Sequence, residues 1–246
     1  MHAILLAAGT GTRLRTAHNK PKILLNFNNK SLLERHIKNL ELNQVKNITI
    51  VVGYQNHLIV EKLKSLNCPQ INVVFNSEYE LGSIVSVFHG LKSASAKEDI
   101  LLMDGDVLYD EKILNLMIKN KESCLAYDAE FEDDDEPVKV CMVKNQIQEF
   151  GKGKFSRQEF TTIGESVGFF KINHPDTVKF IDVCNTMISQ RKTQQPHEDA
   201  IRDIIKKKIF CFKPIDITGL PWTEIDFPED IAKAKAKILK TIGNND

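Results

Sequence analysis

An apolar segment that ends abruptly in a glycine-rich turn lies near the N terminus. Residues 3–8 read Ala-Ile-Leu-Leu-Ala-Ala and are followed by Gly9 and Gly11, then by Thr12 and Arg13. An apolar run of this length is typical of one buried strand. Glycines after it allow a tight turn whose N–H groups can closely approach a ligand. The segment therefore predicts a buried strand that ends in a ligand-binding loop.

Two cationic residues follow this turn. Arg13 offers a fixed, planar set of donors, and Lys22, directly after Pro21, offers a mobile ammonium. Both suit phosphate oxygens, so the turn and its cations predict a binding site for a nucleoside triphosphate. A plain glycine turn after a buried strand is the structural alternative.

The spacing argues against two common phosphate-binding fingerprints. A dinucleotide-binding fingerprint needs a third glycine where Leu14 stands and an acid at the end of the second strand. The nearest acid, Glu34, falls inside a predicted helix. A P-loop needs a Gly-Lys-Ser/Thr triplet after Gly9, and no such triplet follows.

Strand-like runs alternate with helical patterns in the first half of the chain. Strands are predicted at 2–7, 48–52, 71–75 and 99–103, and helices at 31–43, 56–66, 83–92 and 110–119. Ser83 is expected to cap the third helix. The alternation predicts a three-layer α/β/α fold with a mostly parallel, mixed central sheet, and ligands at the carboxyl ends of its strands.

The pattern changes to shorter elements after about residue 123. Strands are predicted at 137–143, 146–150, 165–172 and 209–215, and helices at 175–190, 197–207 and 228–241. The acidic run 130–136 is expected to be a solvated loop. No linker separates the two parts, so we expect one domain over 1–246, with a nucleotide-binding half at 1–122 and an acceptor-binding half at 123–246.

Composition narrows the class of partner. The 246 residues include 33 basic and 33 acidic side chains, so no net charge draws the chain to nucleic acid or anionic lipid. The absence of a signal-peptide pattern and of an apolar stretch of about 20 residues predicts a cytoplasmic protein without membrane insertion. The five scattered cysteines are expected to be reduced core or near-core thiols.

Two acidic groups lie far apart in the sequence. A buried strand ends in Asp104 and Asp106, and their spacing sends both carboxylates to one side. One or both could bind Mg²⁺, with a capped turn as the alternative. In the second group Pro228 begins a helix whose N terminus suits the acids after it. Asp226 is left just outside that helix.

These motifs resemble the signature of nucleotidyltransferases that join a nucleoside triphosphate to a phosphorylated small molecule. The resemblance lies in residues 7–14 with Pro21-Lys22, and continues through 102–106, 164–168 and 224–230. The group includes sugar-phosphate nucleotidyltransferases and bacterial phosphocholine cytidylyltransferases. The resemblance implies a Rossmann-like nucleotidyltransferase fold, and the similarity to choline-type enzymes implies a preference for CTP.

The resemblance also implies roles for individual residues. Nucleotide contacts are expected from Leu6, Ala7, Ala8, Gly9, Gly11, Thr12, Arg13, Lys22, Gly82, Ser83 and Asp104. The expected cofactor is Mg²⁺, held by Asp106 and Asp226. Acceptor contacts are expected from Lys139, Glu165, Glu198, Asp199 and Trp222. The expected catalytic residues are Arg13, Lys22 and Lys139.

Ordinary structural roles remain open for several of these residues. Lys139 could be an edge-strand lysine with its ammonium in water. Glu165 could serve ordinary turn chemistry, and residues 82–83 could form a plain helix cap. The acids at 198–199 could simply complement a helix dipole.

We therefore predict an Mg²⁺-dependent cytidylyltransferase that transfers CMP from CTP to phosphocholine or 2-aminoethylphosphonate and releases pyrophosphate. A sugar-phosphate nucleotidyltransferase is the nearest alternative. A non-catalytic nucleotide-binding module is more distant, because binding alone does not need the acids Asp106 and Asp226. A dehydrogenase is disfavoured by Leu14. Whether the protein forms a homo-oligomer stays open.

Overall fold

A mixed sheet forms the centre of the fold. The computed structural model of the chain describes residues 1–14, 18–95, 97–133, 135–156 and 158–242. Asp134, within the acidic run, lies outside them. The strands are β1 (His2–Ala7), β2 (Asn26–Phe27), β3 (Lys30–Ser31), β4 (Asn47–Val52), β5 (Asn72–Phe75), β6 (Ile100–Asp104), β7 (Val107–Tyr109), β8 (Cys124–Asp128), β9 (Lys139–Val143), β10 (Gln146–Gly151), β11 (Thr162–Ile172), β12 (Lys213–Asp216) and β13 (Trp222–Glu224).

Helices cover the sheet. They are α1 (Leu32–Leu42), α2 (Asn56–Ser65), α3 (Ser83–Ser93), α4 (Lys112–Lys119), α5 (His174–Ser189), α6 (Glu198–Lys206), α7 (Pro228–Lys233) and α8 (Leu239–Ile242). A π-helical segment, Ala234–Ile238, joins the last two. Ser31 and Glu34 form a capping box that begins α1.

The main sheet contains nine strands within the described part of the chain, in the order β10-β9-β11-β6-β1-β4-β5, with β8 against β11 and β12 against β8. The section β6-β1-β4-β5 is parallel. Strands β8 to β11 pair antiparallel to one another or to β6. The expected α/β fold with a mixed central sheet is confirmed.

Strand β1 is buried because it has partners on both edges and helices on both faces. Its alternate residues enter two apolar clusters. Ala3 and Leu5 belong to one cluster, and Ile4 belongs to the other. The apolar run at the N terminus therefore becomes a central strand rather than an edge strand.

Two local expectations and one structural alternative were wrong. Helix α3 has Gly82 rather than Ser83 as its N-cap, since Ser83 is already helical. Strand β9 lies between β10 and β11, so Lys139 is not on an edge and is only 1% exposed. Cys211 is exposed rather than near the core, whereas the other cysteines are buried or half-buried.

A two-stranded ribbon brings the C-terminal part of the chain back to the sheet. Strand β13 pairs antiparallel with β7, with Glu224 opposite Val107. The backbone N–H of Ile225 then donates to the carbonyl of Asp106 at 3.0 Å. The side chain of Ile225 is fully buried. The pairing therefore fixes the segment that contains Asp226 beside the end of β6.

None of the helices in the described ranges combines the length and apolar character needed to traverse a lipid bilayer.

We expect Ile225→Ala to lower the free energy of unfolding by about 2–5 kcal/mol, because it deletes a fully buried side chain and leaves a cavity. Leu116→Ala is the matched control, since Leu116 is 44% exposed. Its effect should stay below about 1 kcal/mol. Urea unfolding measures both, and equal losses in the two variants would contradict the anchoring role of Ile225.

Candidate active site

A cleft of about 200 Å³ opens at the carboxyl ends of β1 and β6. It is lined by Leu6, Ala7, Gly9, Gly11, Thr12, Arg13, Lys22, Ile23, Gly105, Asp106 and Asp226. We call it the nucleotide cleft. Parallel strands place their carboxyl ends at one edge of the sheet, where ligands of such folds bind.

The glycine turn and the end of β6 are joined by backbone contacts. Gly11 has a φ of +58°, a left-handed conformation that favours glycine. The N–H of Gly105 donates to the carbonyl of Leu6 at 3.0 Å. The turn that contains Asp106 therefore lies directly beside the end of β1.

Two cations contact two carboxylates across this cleft. Lys22 Nζ lies 2.9 Å from Asp106 Oδ2 and 2.5 Å from Asp226 Oδ1. Arg13 Nη1 lies 2.9 Å from Asp226 Oδ2, and its guanidinium lies 5.1 Å from the ring centroid of Phe227. The N-terminal loop and the C-terminal ribbon thus meet at the end of β6.

The pKa shifts agree with this arrangement. Burial opposes the charged form of Lys22, but the carboxylates of Asp106 and Asp226 outweigh it and raise the pKa of Lys22. Burial likewise opposes ionisation of Asp226, yet Lys22, Arg13 and Lys152 hold its pKa below the ordinary value. Lys22 and Asp226 are therefore both charged at neutral pH.

Three carboxylates lie close enough to share a cation. Ligand oxygens of Asp106, Glu224 and Asp226 are all within 4.8 Å of one another. Carboxylate oxygens are hard ligands and suit Mg²⁺ better than softer metals. The ammonium of Lys22 already lies between two of them, which shows that this position accepts a cation.

Hydrogen bonds to the start of α7 fix the backbone of Asp226 beside the nucleotide cleft. The N–H groups of Asp226 and Phe227 donate to Asp230 Oδ2 at 2.9 and 2.7 Å. Asp230 belongs to the first turn of α7, which begins at Pro228. Asp226 therefore remains outside the helix with its carboxylate directed at Lys22 and Arg13.

A second, larger cleft of about 650 Å³ adjoins the first. We call it the acceptor cleft, and Asp226 lines both. The described residues lining it contribute ten carboxylates, from Asp104, Asp128, Glu130, Glu132, Glu136, Glu165, Glu198, Glu224, Asp226 and Asp230. They contribute two lysines, Lys152 and Lys233. The cleft is therefore strongly negative, with few cations.

An aromatic side chain is held in the wall of the acceptor cleft. Trp222 lies on β13, and its indole Nε1 donates to Asp128 Oδ2 at 2.8 Å. Phe131, Phe170 and Phe227 also line the cleft. Aromatic faces beside carboxylates favour a cationic ligand.

Asp104 lies in this acidic wall. Burial, then the neighbouring carboxylates of Glu198 and Asp106, raise the pKa of Asp104 well above its ordinary value. His197 also lies close, with Nε2 at 3.9 Å from Asp104 Oδ1.

The predicted site residues divide between the two clefts. Leu6, Ala7, Gly9, Gly11, Thr12, Arg13, Lys22, Asp106 and Asp226 line the nucleotide cleft. Asp104, predicted to contact nucleotide, instead lines the acceptor cleft with Glu165, Glu198 and Trp222. Among the described residues that line either cleft, Ala8, Gly82, Ser83, Lys139 and Asp199 do not occur.

Lys139 is directed away from both clefts. Its Nζ donates to the carbonyl of Gly153 at 2.8 Å and lies 3.1 Å from Asp133. Lys152, two residues beyond Phe150 on the neighbouring strand, lines the acceptor cleft instead. Its Nζ lies 3.7 Å from Glu136.

Gly82 and Ser83 pack against the segment before α6. The N–H of Gly82 donates to the carbonyl of Thr193 at 2.7 Å. Ser83 Oγ accepts from the backbone N–H of His197 at 2.8 Å. The glycine and hydroxyl at this helix start therefore serve packing within the structure described.

The acidic run is not simply solvated. Glu130, Phe131, Glu132 and Glu136 line the acceptor cleft. Glu136 also lies 3.4 Å from Arg13. The expected solvated loop is confirmed in that the described acids of the run are exposed, and several of them line the cleft as well.

Sequence reasoning did not single out Glu224, Asp128 or Lys152. Glu224 is two residues before Asp226, so the period-two spacing applied to Asp104 and Asp106 would have found it. Lys152 follows Gly151 at the end of β10, but that strand contains three polar residues and lacks the apolar run that precedes Gly9, so the sequence signal is weak. No sequence signal pairs Asp128 with Trp222, because 94 residues separate them.

Comparison with known proteins identifies the family. The chain belongs to the MobA-like NTP transferase domain family, which matches residues 3–156. The CTP:phosphoglutamine cytidylyltransferase of Campylobacter jejuni is 24% identical over 252 residues, which cover 94% of this chain and 98% of that protein. The chain is therefore a nucleotidyltransferase.

Bifunctional relatives are longer. The bifunctional IPC transferase and DIPP synthase of Aquifex aeolicus is 26% identical over 240 residues, which cover 97% of this chain and 52% of that protein. This chain thus spans about half the length of such relatives.

Solved structures establish the fold. The inositol-1-phosphate CTP transferase from T. maritima has a TM-score of 0.82 at 24% identity, covering 99% of this chain and 96% of that one. The CTP:phosphocholine cytidylyltransferase from Streptococcus pneumoniae has a TM-score of 0.77 at 21% identity, covering 95% and 97%. Both are nucleotidyltransferases of Rossmann-like architecture, as expected from the sequence.

A buried carboxylate, Glu149, forms ion pairs with two half-exposed cations next to the acceptor cleft. Glu149 of β10 accepts from Arg202 Nε and Lys206 Nζ of α6, each at 2.8 Å. Burial opposes ionisation, but these hydrogen bonds lower the pKa of Glu149 to about 2. The network ties the strand before Lys152 to the helix that begins with Glu198.

We expect Glu149→Gln to lower the free energy of unfolding by about 1–3 kcal/mol at pH 7, because two cations lose their charged partner. A carboxylate with a depressed pKa stabilises the fold above its unfolded pKa of about 4.3 and loses that effect as pH falls towards 2. The difference between wild type and variant should therefore shrink between pH 5 and pH 3. Urea unfolding at both pH values tests this, and a constant difference would contradict it.

Proposed function

We propose that this nucleotidyltransferase is a cytidylyltransferase that transfers CMP from CTP to a small phosphorylated or phosphonate amine. The proposal rests on a set of hydrogen-bonded ion pairs where the two clefts join. Lys22 binds Asp106 and Asp226, and Arg13 binds Asp226. CMP transfer requires the acceptor oxygen to attack the α-phosphate, so one substrate must lie on each side of the junction. Cations and carboxylates are needed there to position the two substrates and to neutralise charge.

The nucleotide and the acceptor fit opposite sides of Asp226. Backbone N–H groups of the glycine turn and the guanidinium of Arg13 suit the β- and γ-phosphates of a nucleotide. The acidic, aromatic acceptor cleft suits an amine, and Lys152 suits its phosphate or phosphonate. CTP is favoured because relatives over nearly the full length of the chain carry names that specify CTP.

Asp106 and Asp226, with Glu224 beside them, would hold a divalent ion, for which Mg²⁺ fits the donor set. When bound, such an ion supplies charge neutralisation for phosphate oxygens. Lys22 would then exchange its two carboxylate partners for the α-phosphate. Arg13 would exchange Asp226 for the phosphates that depart.

The proposed reaction needs no covalent enzyme intermediate. An oxygen of the acceptor's phosphate or phosphonate attacks the α-phosphorus and forms a new P–O bond. The bond from the α-phosphorus to the bridging oxygen breaks, and its electron pair leaves with pyrophosphate. The protein contributes position and charge, with Lys22 and Arg13 donating to oxygens whose negative charge increases.

A pyrophosphate-release screen tests the proposed function. CTP, UTP and dTTP are each combined with 2-aminoethylphosphonate, phosphocholine and sugar phosphates in the presence of Mg²⁺. We expect release with CTP and an amine-containing acceptor, and its loss when EDTA removes the divalent ion. Release with sugar phosphates alone would instead indicate a sugar-phosphate nucleotidyltransferase.

We expect Lys152→Met to raise the KM for the acceptor about 10- to 100-fold, because a charged hydrogen bond to phosphate is lost. The KM for CTP should stay within about threefold. Lys154→Met is the matched control, since Lys154 is an exposed lysine two residues away and does not line the cleft. An unchanged acceptor KM in Lys152→Met would exclude this lysine as the phosphate contact.

A further inference from the structure

One wall of the acceptor cleft contains two adjacent carboxylates that form no ion pair with a lysine or arginine among the described residues. Asp104 and Glu198 both line the cleft. Within the described ranges, the ionic neighbour of each is His197 rather than a lysine or arginine. Like charges this close repel each other, so the pair favours a cation from outside the protein.

Beneath this pair lies a histidine with an unused ring nitrogen. His197 is 2% exposed, and its buried Nε2 forms no hydrogen bond with the described residues. That atom is 3.9 Å from Asp104 Oδ1. The buried Oε2 of Glu198 likewise forms no hydrogen bond there, although it lies 3.2 Å from His197 Nδ1. Buried polar groups normally find partners, so these atoms indicate a missing polar ligand.

The histidine is held rigidly. Its Nδ1 is 3.0 Å from Ser83 Oγ, and its backbone N–H donates to the same oxygen at 2.8 Å. This contact joins the start of α3 to the start of α6. The imidazole therefore cannot turn to satisfy Nε2 elsewhere without breaking the contact between Nδ1 and Ser83 Oγ.

The neighbouring strand β11 leaves space for the Asp104 side chain, because it has a glycine beside that carboxylate. Gly168 of β11 has a φ of +77°, and a Cβ atom there would overlap Asp104 Oδ2. Both the left-handed conformation and the close approach require glycine. The backbone thus accommodates the Asp104 carboxylate in the acceptor cleft.

We propose that Asp104 and Glu198, positioned by His197, bind the ammonium of the acceptor and select a primary ammonium over a trimethylammonium. The inference rests on the proposed function and specifies its substrate class. Three described carboxylates lie close enough to share a metal at Asp106, Glu224 and Asp226, whereas Asp104 and Glu198 offer only two. An organic cation is therefore the occupant that the chemistry favours.

Hydrogen bonding decides between the two kinds of ammonium. A primary ammonium has three N–H donors for the two carboxylates and the groups around them. A trimethylammonium has none, so its binding would leave buried acceptors unsatisfied and reduce affinity by roughly 10- to 100-fold.

The acceptor must also be short. Asp104 and Asp106 are two residues apart, so their Cα atoms are separated by at most roughly 7 Å. Asp106 belongs to the carboxylate group at which the phosphate or phosphonate reacts. A molecule that reaches from there to Asp104 has only a few atoms between phosphorus and nitrogen, as in 2-aminoethylphosphonate.

Matched pairs of acceptors provide the test. Pyrophosphate release at saturating CTP is measured with 2-aminoethylphosphonate and its N,N,N-trimethyl analogue, and with phosphoethanolamine and phosphocholine. We expect kcat/KM to be at least tenfold higher for the primary amine in each pair. Fluorescence of Trp222, the single tryptophan of the chain, reports binding independently of turnover.

The variant Glu198→Gln tests the assignment to these residues. We expect kcat/KM for the primary amine to fall about 10- to 100-fold and that for the trimethyl analogue to fall less, because the analogue loses the attraction of the charge but no hydrogen bond, while the KM for CTP stays constant. Asp203→Asn is the control, since Asp203 lies on the same helix and pairs with Lys207 outside the cleft. Its values should match wild type.

The outcomes separate this inference from the proposed function. Equal or better use of the trimethylated acceptors would overturn the inference while CMP transfer to an amine stands. An unchanged selectivity in Glu198→Gln would also overturn it. Turnover with sugar phosphates and with none of the four amines would overturn the inference and the proposed function together.

Discussion

The contact of Lys22 with Asp106 and Asp226 is the interaction on which the site depends. It joins the loop after β1, the turn after β6 and the segment after β13, which are distant in sequence. Each carboxylate would be costly at this partly buried position without a cation. The sheet, the β7–β13 ribbon and the cap of α7 all act to hold the three segments at these distances.

The same need for counter-charge explains the contrast between the two clefts. The nucleotide cleft contains its own cations, which suit a highly anionic ligand. The acceptor cleft contains ten carboxylates and two lysines in the part of the chain that is described, which suits a ligand that is itself cationic at one end. Asp226 lies where the clefts meet, so the reacting phosphates of both substrates would be close to the carboxylate group. In the proposed reaction, charge would therefore direct the two substrates to different clefts.

Periodicity and turn chemistry were enough to predict the first half of the fold. The run at 2–7 and the helix at 56–66 were placed within a residue of β1 and α2, because central strands and long amphipathic helices have strong local signals. Short pieces such as β7 and β13 were missed, since three residues stabilised by pairing with each other leave little local pattern. Lys139 illustrates the same limit. A lysine within an apolar strand is typical of an edge strand, but β9 has β10 and β11 as hydrogen-bonded neighbours and is not an edge.

The nucleotide half of the site was easier to predict than the acceptor half. The glycine turn is local, so its lining residues follow from consecutive positions. The acceptor cleft is assembled from β8, β11, β13 and α6, and pairs such as Asp104 with Glu198 exist only after folding.

The most direct test of the account compares turnover with nucleotide binding in Asp106→Asn and Asp226→Asn. Calorimetry measures CTP affinity, and pyrophosphate release measures turnover with the best acceptor. We expect CTP affinity within about threefold of wild type and a loss of turnover of at least about 10²-fold, because charge stabilisation is lost from the transition state. Turnover near the wild-type rate in either variant would contradict the assignment of this carboxylate group as the catalytic centre.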